Sequence, residues 1–337
     1  MLLLNRQDID RCVELPRLVR VLEDAHRGFA SSPPVVPNRL MITYQGESAF
    51  SLFMPAFLPQ QPALGIKVSS YHGDNSARGL PAVNGAVLLI EPETGRLLAI
   101  LDSAPLTAIR TSAMSALATD KLCPLGRLNL AIIGAGTQAA AHARAMAAVR
   151  TLGQVRIYSR RLEQSVALAE RLSIELCLPI EAVESLHVAL ADADIICTTT
   201  SHASPTPLIT SDMLKPFAHI NAVGGSTLVA CEIDPRLLAD TQVHVDHLDS
   251  ARHESGEIAL ALATAVISER DIRQISTLVI EQSTPPEQKP GWSYFRSVGH
   301  ASQDMVVAAC IYETARARGI GRCCNYFNGP DEPRLRR

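Results

Sequence analysis

Aromatic side chains are scarce in this chain, at 4% with a single tryptophan, and nowhere do they interleave with a run of basic residues. Basic residues are not in excess either: 31 Lys and Arg face 34 Asp and Glu, for a net charge of -3. A nucleic-acid surface is therefore not expected. No apolar run approaches the roughly 20 residues of a membrane-spanning helix. The opening Met-Leu-Leu-Leu is too short for a signal peptide, and Asn5, Arg6, Asp8 and Asp10 interrupt it at once. Eight cysteines are scattered without CxxC pairs or metal-ligand spacing, so reduced thiols in a cytoplasmic setting are expected. The vicinal Cys323-Cys324 reads as a surface feature of the tail. Ten histidines form no ligand cluster, and no metal is expected. Internal repeats are also missing. What remains is 337 residues, 47% hydrophobic, enough for two domains with sizeable cores.

The stretch 128–161 organises the rest. Leu130-Ala131-Ile132-Ile133 has the length and branching of a buried parallel strand. Gly134, Gly136 and Ala139 follow as G-x-G-x-x-A, then an Ala-rich helix, then a second strand at 154–158. The first small residue lets the chain turn, the second admits a pyrophosphate, and the third packs helix on strand. The phosphates would sit on the amides and positive dipole end of the helix. About twenty residues past such a motif, an NAD enzyme places Asp or Glu on the ribose hydroxyls. Ser159, Arg160 and Arg161 stand there instead. A carboxylate would repel a 2′-phosphate, whereas a hydroxyl and two guanidiniums would bind one. The expected cofactor is NADPH.

Before this stretch the pattern predicts a helix within 7–30, with Pro16 early and Leu18, Leu22, Ala25 and Phe29 on one face. Strands follow at 39–44, 49–53, 64–71, 83–90 and 97–101, with a turn at Glu91-Pro92-Glu93-Thr94-Gly95 and no helix between them, which implies an antiparallel sheet. A helix over 104–122 carries Arg110. After the nucleotide motif, strands are expected at 195–198, 219–223 and 243–245, a connection at 280–296, and a long helix at 304–316 that returns to the first domain. The expected organisation is a substrate-binding domain, 1–120 plus 300–325, a Rossmann-type dinucleotide domain inserted at 121–299, and a frayed tail at 326–337. The fold class is α/β, with an α+β antiparallel-sheet partner domain.

Three cations in the first domain have unusual surroundings. Arg39 begins a strand, Lys67 lies mid-strand in Gly65-Ile66-Lys67-Val68, and Arg110 lies in Leu106-Thr107-Ala108-Ile109-Arg110-Thr111. Buried cations need partners, either a structural carboxylate or that of a substrate. Their combination beside a nucleotide domain favours the substrate. A lysine in a dry pocket shifts its pKa readily, so Lys67 is a candidate proton donor or imine former.

These residues resemble the ornithine cyclodeaminase/mu-crystallin family over nearly the whole chain. The likeness rests on Met54-Pro55-Ala56, Gly65-Ile66-Lys67, Gly79-Leu80-Pro81, Glu93-Thr94-Gly95, the Arg110 segment, Gly134-Ala135-Gly136-Thr137-Gln138-Ala139, Asn221-Ala222-Val223-Gly224 and Ser297-Val298-Gly299, in order and spacing. It implies a homodimer built through the antiparallel domain, with hydride passing between the two domains. It also implies that Arg39, Lys67 and Arg110 hold the substrate carboxylate and the reacting nitrogen. Cofactor contacts are expected from Gly134 to Ala139, Ser159 to Arg161, Thr198, Thr199, Ser201, Val223, Gly224, Ser297 and Gly299. Asn75, Ser226 and His300 are further substrate-side candidates, although His300 reads more readily as a hydrogen-bonding spacer.

The departures narrow the expectation. Cyclodeaminases of the family carry an Asp shortly after Asn-Ala-Val-Gly to handle the substrate amine; here the chain reads Gly224-Gly225-Ser226-Thr227. Glu232 and Asp234 lie beyond and are expected to open the next helix. Glu254, Gly256 and Glu257 read as helix-entry structure. The hydroxyl-bearing position after Gly-Leu-Pro is Ala82, which leaves a dehydratase without its acid. The expected activity is NADPH-dependent reduction of small cyclic imino acids, such as Δ1-pyrroline-2-carboxylate or Δ1-piperideine-2-carboxylate, to L-proline or L-pipecolate. An ornithine cyclodeaminase, an amino-acid dehydrogenase and a non-catalytic nucleotide-dependent binding protein are the alternatives.

Overall fold

The computed structural model describes residues 1–325 apart from 45–48, 226, 282–284 and 287–290, so the expected frayed tail lies outside the described residues. Contacts divide the chain into two units, Met1–Arg110 with the segment from Ala301, and Thr111–His300.

The first unit runs β1 (Leu2–Leu4), α1 (Arg6–Cys12), α2 (Leu15–Gly28), β2 (Leu40–Tyr44), β3 (Ala49–Leu58), β4 (Ala63–His72), β5 (Val83–Ile90) and β6 (Leu97–Asp102), then enters α3 (Ser103–Leu122). Helix Ala301–Arg318 and strand Arg322–Cys323 complete it. Its described strands form one sheet in the order Arg322–Cys323, β1, β6, β5, β4, β3, β2. From β6 to β2 every neighbour is antiparallel, while β1 lies parallel to β6. The helix expected within 7–30 is α2, with Pro16 early in it, and the short α1 precedes it. Asn5 and Asp8 cap α1 reciprocally, Val13 and Glu14 are extended, and Pro16 sits in the first turn of α2. A proline is harmless there because its missing N–H would have no intrahelical partner.

Strand β3 also runs beyond its expected end at 53, through Pro55, to Leu58. Pairing with β2 ends at Leu40↔Phe53, and Phe57, two residues past the proline, bonds across that same side to Val35. Pro55 therefore lacks a donor at a point where β2 has already ended. Alternation along the strands buries Met54, Ala56, Lys67, Val87, Leu89, Ala99 and Leu101 on one face. Helix Ala301–Arg318 packs there so closely that a Cβ on Gly65 would meet Met305 Sδ at 2.6 Å. Met305, Val306, Val307 and Ala308 are consecutive and all buried, as expected where the first half of the helix is enclosed on all sides. The opposite face of the sheet carries Phe53, Ile66, Val68, Leu88 and Ile100, each only half-buried.

The second unit contains β7 (Arg127–Ile133), α4 (Thr137–Val149), β8 (Thr151–Tyr158), α5 (Leu162–Leu176), β9 (Ile180–Val183), α6 (Leu186–Leu190), β10 (Ile195–Thr198), β11 (His219–Ala222), β12 (Thr241–Val245), α7 (Leu248–Glu254), α8 (Gly256–Ala263), β13 (Ile272–Gln274), α9 (Ile275–Glu281) and β14 (Trp292–Arg296). The order is β13-β12-β14-β11-β10-β7-β8-β9, and all pairs are parallel. Strand order reverses between β7 and β10, the place where doubly wound sheets open a crevice for ligands.

The connection expected at 280–296 is corrected over its last part. Trp292–Arg296 is a strand between β12 and β11, and Ser293 to Arg296 are all buried. Ser293 and Arg296 hide the strand in the sequence, because a charged residue in a doubly covered strand breaks the apolar pattern. The helix expected after Glu232 is corrected in part. Asp234 does cap the 3-10 turn Pro235–Asp240 by accepting from Arg236 N, but Glu232 is fully buried and serves elsewhere. At the entry to α8, Ser255 is the capping residue and Glu257, in the first turn, is fully buried.

Candidate active site

In the first unit, β4 presents Lys67 and α3 presents Arg110 to Asp304, in the first turn of helix Ala301–Arg318. Lys67 Nζ lies 2.8 Å from Asp304 Oδ2, and Arg110 Nε lies 3.1 Å from Oδ1. Arg110 Nη1 also donates to Gln303 Oε1 at 3.4 Å. All four side chains are buried. Burial pushes the Lys67 ammonium down to about 8; Asp304 opposes that shift, while the charges of Arg110 and Arg39 reinforce it. Burial also works against ionisation of Asp304, but Lys67 and Arg110 outweigh it and hold the carboxyl below its ordinary range. Arg39 lies just before β2, half-buried, and its field reaches Lys67. The fold thus brings Lys67 and Arg110 together on one carboxylate, and Arg39 acts on Lys67 through its charge. It adds a carboxylate that sequence reasoning left unassigned, although Asp304 is the single acidic residue in the first turn of that helix.

Asn75 has a local partner. Its Nδ2 donates to Pro81 O at 2.9 Å and its carbonyl accepts from Leu80 N, so it holds the Gly79-Leu80-Pro81 turn. His72 Nε2 is 3.2 Å from Tyr44 Oη, which also contacts Ser51 Oγ. Ser226 lies outside the described residues.

In the second unit, Gly134 has φ +123, and a Cβ there would meet Thr199 Oγ1 at 2.6 Å, so only glycine fits the turn leaving β7. Gly136 caps α4 with no side-chain hydrogen bond, and a Cβ there would meet nothing within 4 Å. Free amides facing open space suit a pyrophosphate. Ala139 is fully buried, and Ala135, Thr137 and Gln138 line the turn with partial or full exposure. At the end of β8, Ser159 Oγ donates to Arg161 O at 2.8 Å and contacts Ser165 Oγ. Arg160 and Arg161 are exposed. The Ser159 hydroxyl is thus engaged locally, while both guanidiniums are solvent-accessible.

Along the C-terminal ends of the other strands, Thr199 Oγ1 donates to Ile133 O, Ser201 is exposed, and Val223 N donates to Thr198 O. Thr198 Oγ1 is buried against Glu232 Oε2 at 2.6 Å, and Gly224 N donates to the same oxygen at 3.0 Å. Those polar atoms face a buried carboxylate. Asp246 organises the last loop: Ser297 Oγ and Gly299 N both donate to its Oδ2. His300 stacks on His247, with ring centroids 4.2 Å apart. No helix among the described residues is long and apolar enough to cross a membrane, and no group of three or more His, Cys, Asp or Glu among them could hold a metal.

The model of the ornithine cyclodeaminase/mu-crystallin family matches residues 2–319. The chain belongs to that family. Among its curated relatives, a Δ1-pyrroline-2-carboxylate reductase of Bacillus cereus is 30% identical over 95% of this chain and 98% of its own. The ketimine reductase mu-crystallin of Mus musculus is 31% identical over 88% of this chain and 91% of its own. Among solved structures, Δ1-pyrroline-2-carboxylate reductase of Thermococcus litoralis, in complex with NADH and L-proline, superposes with a TM-score of 0.90 at 30% identity, covering 96% of this chain and all of that one. As a member of the family, the chain combines a Rossmann-type parallel sheet with an antiparallel-sheet unit.

Proposed function

We propose that this protein reduces small cyclic imino acids, such as Δ1-pyrroline-2-carboxylate and Δ1-piperideine-2-carboxylate, to the corresponding L-amino acids, with NADPH as its preferred cofactor. The observation that carries the reading is the buried pair of cations, Lys67 and Arg110, on Asp304, with the half-buried Arg39 adding its charge at Lys67. Two buried cations on one carboxylate, with the charge of Arg39 reaching Lys67, make a site that favours an added anion, and the planar fork of an arginine matches a substrate carboxylate. Reductases of Δ1-pyrroline-2-carboxylate and of ketimines among the relatives support the same substrate class.

In this mechanism Arg110 and Arg39 hold the carboxylate, which fixes the C=N plane and its reacting carbon. When bound, the reduced nicotinamide supplies hydride to that carbon. Lys67, tuned to about 8, is protonated at neutral pH yet gives up its proton easily, so it donates to the imine nitrogen directly or through one water. Asp304 keeps Lys67 charged until that transfer. A cyclic imine has no distal amine, so the reaction requires no further base.

Ornithine cyclodeamination would need such a base. Glu232, the nearest acid in sequence after Gly225, has both carboxylate oxygens engaged by Thr198, Thr200 and Gly224. A carboxylate held on four bonds cannot swing out to take a proton from an amine. The NADPH preference rests on Arg160 and Arg161 standing exposed at the end of β8, with no acid there. A homodimer belongs to the same reading, because the half-buried apolar face around Ile66 and Leu88 and the exposed Leu40, Met41 and Ile42 of β2 call for cover. The testing experiment is steady-state oxidation of NADPH with the two imino acids, run beside NADH.

A further inference from the structure

Resting on the dinucleotide reading above, we propose that Glu232 is a positioning residue for the nicotinamide half of the cofactor, acting by fixing the chain that leaves β10 and β11. Its Oε1 accepts from Thr200 N at 3.1 Å and from Thr200 Oγ1 at 2.5 Å. Its Oε2 accepts from Thr198 Oγ1 at 2.6 Å and Gly224 N at 3.0 Å. Arg296, fully buried at the end of β14, holds the carbonyls of Gly224 and Gly225 at 2.6 and 2.9 Å, and its Nη1 lies 3.9 Å from Glu232 Oε2. Gly224 is thus gripped at its N–H by Glu232, with Thr198 O as a longer second acceptor at 3.2 Å, and at its carbonyl by Arg296. The fit leaves no slack, since a Cβ on Gly224 would meet Glu232 Oε1 and Thr200 O, each at 2.4 Å.

The position along the sheet says which half of the dinucleotide is concerned. Strand β8, with Arg160 and Arg161, lies on one side of β7; β10 and β11 lie on the other. A dinucleotide crosses a doubly wound sheet at that reversal, so an adenosine half over β8 puts the nicotinamide half over β10 and β11. The rim there is set by Glu232.

A second buried acid supplies the control. Glu257 Oε1 accepts from Glu232 N at 2.8 Å, and its Oε2 accepts from Ser255 Oγ at 2.8 Å. Glutamine can replace Glu257 with its oxygen on the amide and its NH2 on the hydroxyl, which rotates to accept. At Glu232 each carboxylate oxygen accepts a backbone N–H. Either orientation of a glutamine amide therefore sets N–H against N–H, at Thr200 or at Gly224. Both substitutions remove a buried acid whose charge acts on Arg296, Glu257 the more strongly, so they share the electrostatic effect and differ in whether the hydrogen bonds at the rim can be remade.

The test measures binding, independently of turnover, with NADPH and 2′-phospho-ADP-ribose, a fragment lacking the nicotinamide, and in parallel with NADH and ADP-ribose. Glu232→Gln is expected to lose about tenfold or more in affinity for each dinucleotide while each fragment stays within about twofold, the scale of one misplaced hydrogen-bonded loop. Glu257→Gln is expected to stay within about threefold for every ligand, because its bonds can be remade. Should Glu232→Gln fail to fold, Thr198→Val, which removes one donor to the same carboxylate, is expected to weaken the dinucleotides selectively by about threefold or more. Equal loss of dinucleotide and fragment, equal effects of the two glutamine variants, or wild-type binding by the variant that folds would overturn the proposal. The parallel pairs keep it separate from the 2′-phosphate reading. Failure of the imino-acid assay with intact dinucleotide selectivity would count against the substrate alone.

Discussion

Lys67 Nζ and Asp304 Oδ2 lie 2.8 Å apart in the interior of the first unit, one on a central strand and the other on the C-terminal helix. Under the proposed mechanism Lys67 is the proton donor, and Asp304 favours its charged form against burial. Burial drives the ammonium down to about 8, and without the carboxylate it would go lower still. The donor form is complete below that value and is lost as pH rises through it. The wild-type kcat/KM is therefore expected to fall above pH about 8.

Asp304→Asn removes the largest influence that raises the Lys67 pKa, so the alkaline limb of the kcat/KM profile should move to lower pH. The substrate's own titration is common to both enzymes, and the difference between the profiles isolates the lysine. The variant should also be less stable by about 3–5 kcal/mol, because buried cations lose their counter-charge. A profile unchanged by the substitution would remove Lys67 from the role of donor.

Arg110→Lys keeps a cation beside Asp304 but loses the fork. Folding and dinucleotide binding should survive, while kcat/KM for the imino acid falls by roughly 10²-fold or more. Near-normal kinetics, with an unchanged melting temperature, would make Arg110 a purely structural partner of Asp304.

Much of this arrangement was legible in the sequence, and the rest was hidden for physical reasons. Gly134 and Ala139 announce themselves because a tight turn and a close helix–strand contact admit only small residues, and Gly136 because it leaves the helix amides open to a ligand. Lys67 and Arg110 stand out because cations are rare in apolar segments. Asp304 gives no comparable signal, since its partners are 237 and 194 positions away, and nothing local ties an acid at a helix start to a distant lysine. For the same reason Arg296 disguised its strand: a buried arginine is acceptable only where two carbonyls, Gly224 and Gly225, meet it. Glu232 read as a helix opener because acids favour that place, and three of the four donors that claim it come from Thr198 and Thr200, more than thirty residues away.

Replacing Arg160 and Arg161 together by Ala should weaken NADPH far more than NADH, since only NADPH carries the 2′-phosphate. Charge-assisted hydrogen bonds contribute about 1.5–3 kcal/mol each, so the KM for NADPH is expected to rise ~100-fold or more. Comparable losses for both cofactors, or a wild-type enzyme indifferent between them, would contradict the role given to these arginines.

The substrate assignment is tested most directly by giving one preparation two substrates in turn. With Δ1-pyrroline-2-carboxylate and NADPH, absorbance of the reduced nicotinamide should fall as L-proline forms. With L-ornithine and NAD, no ammonia should appear, because the described carboxylate nearest in sequence to the Asn-Ala-Val-Gly segment, Glu232, is committed to Thr198, Thr200 and Gly224. Ammonia released from ornithine as fast as the imine is reduced, or no oxidation of NADPH by the imine, would contradict the account.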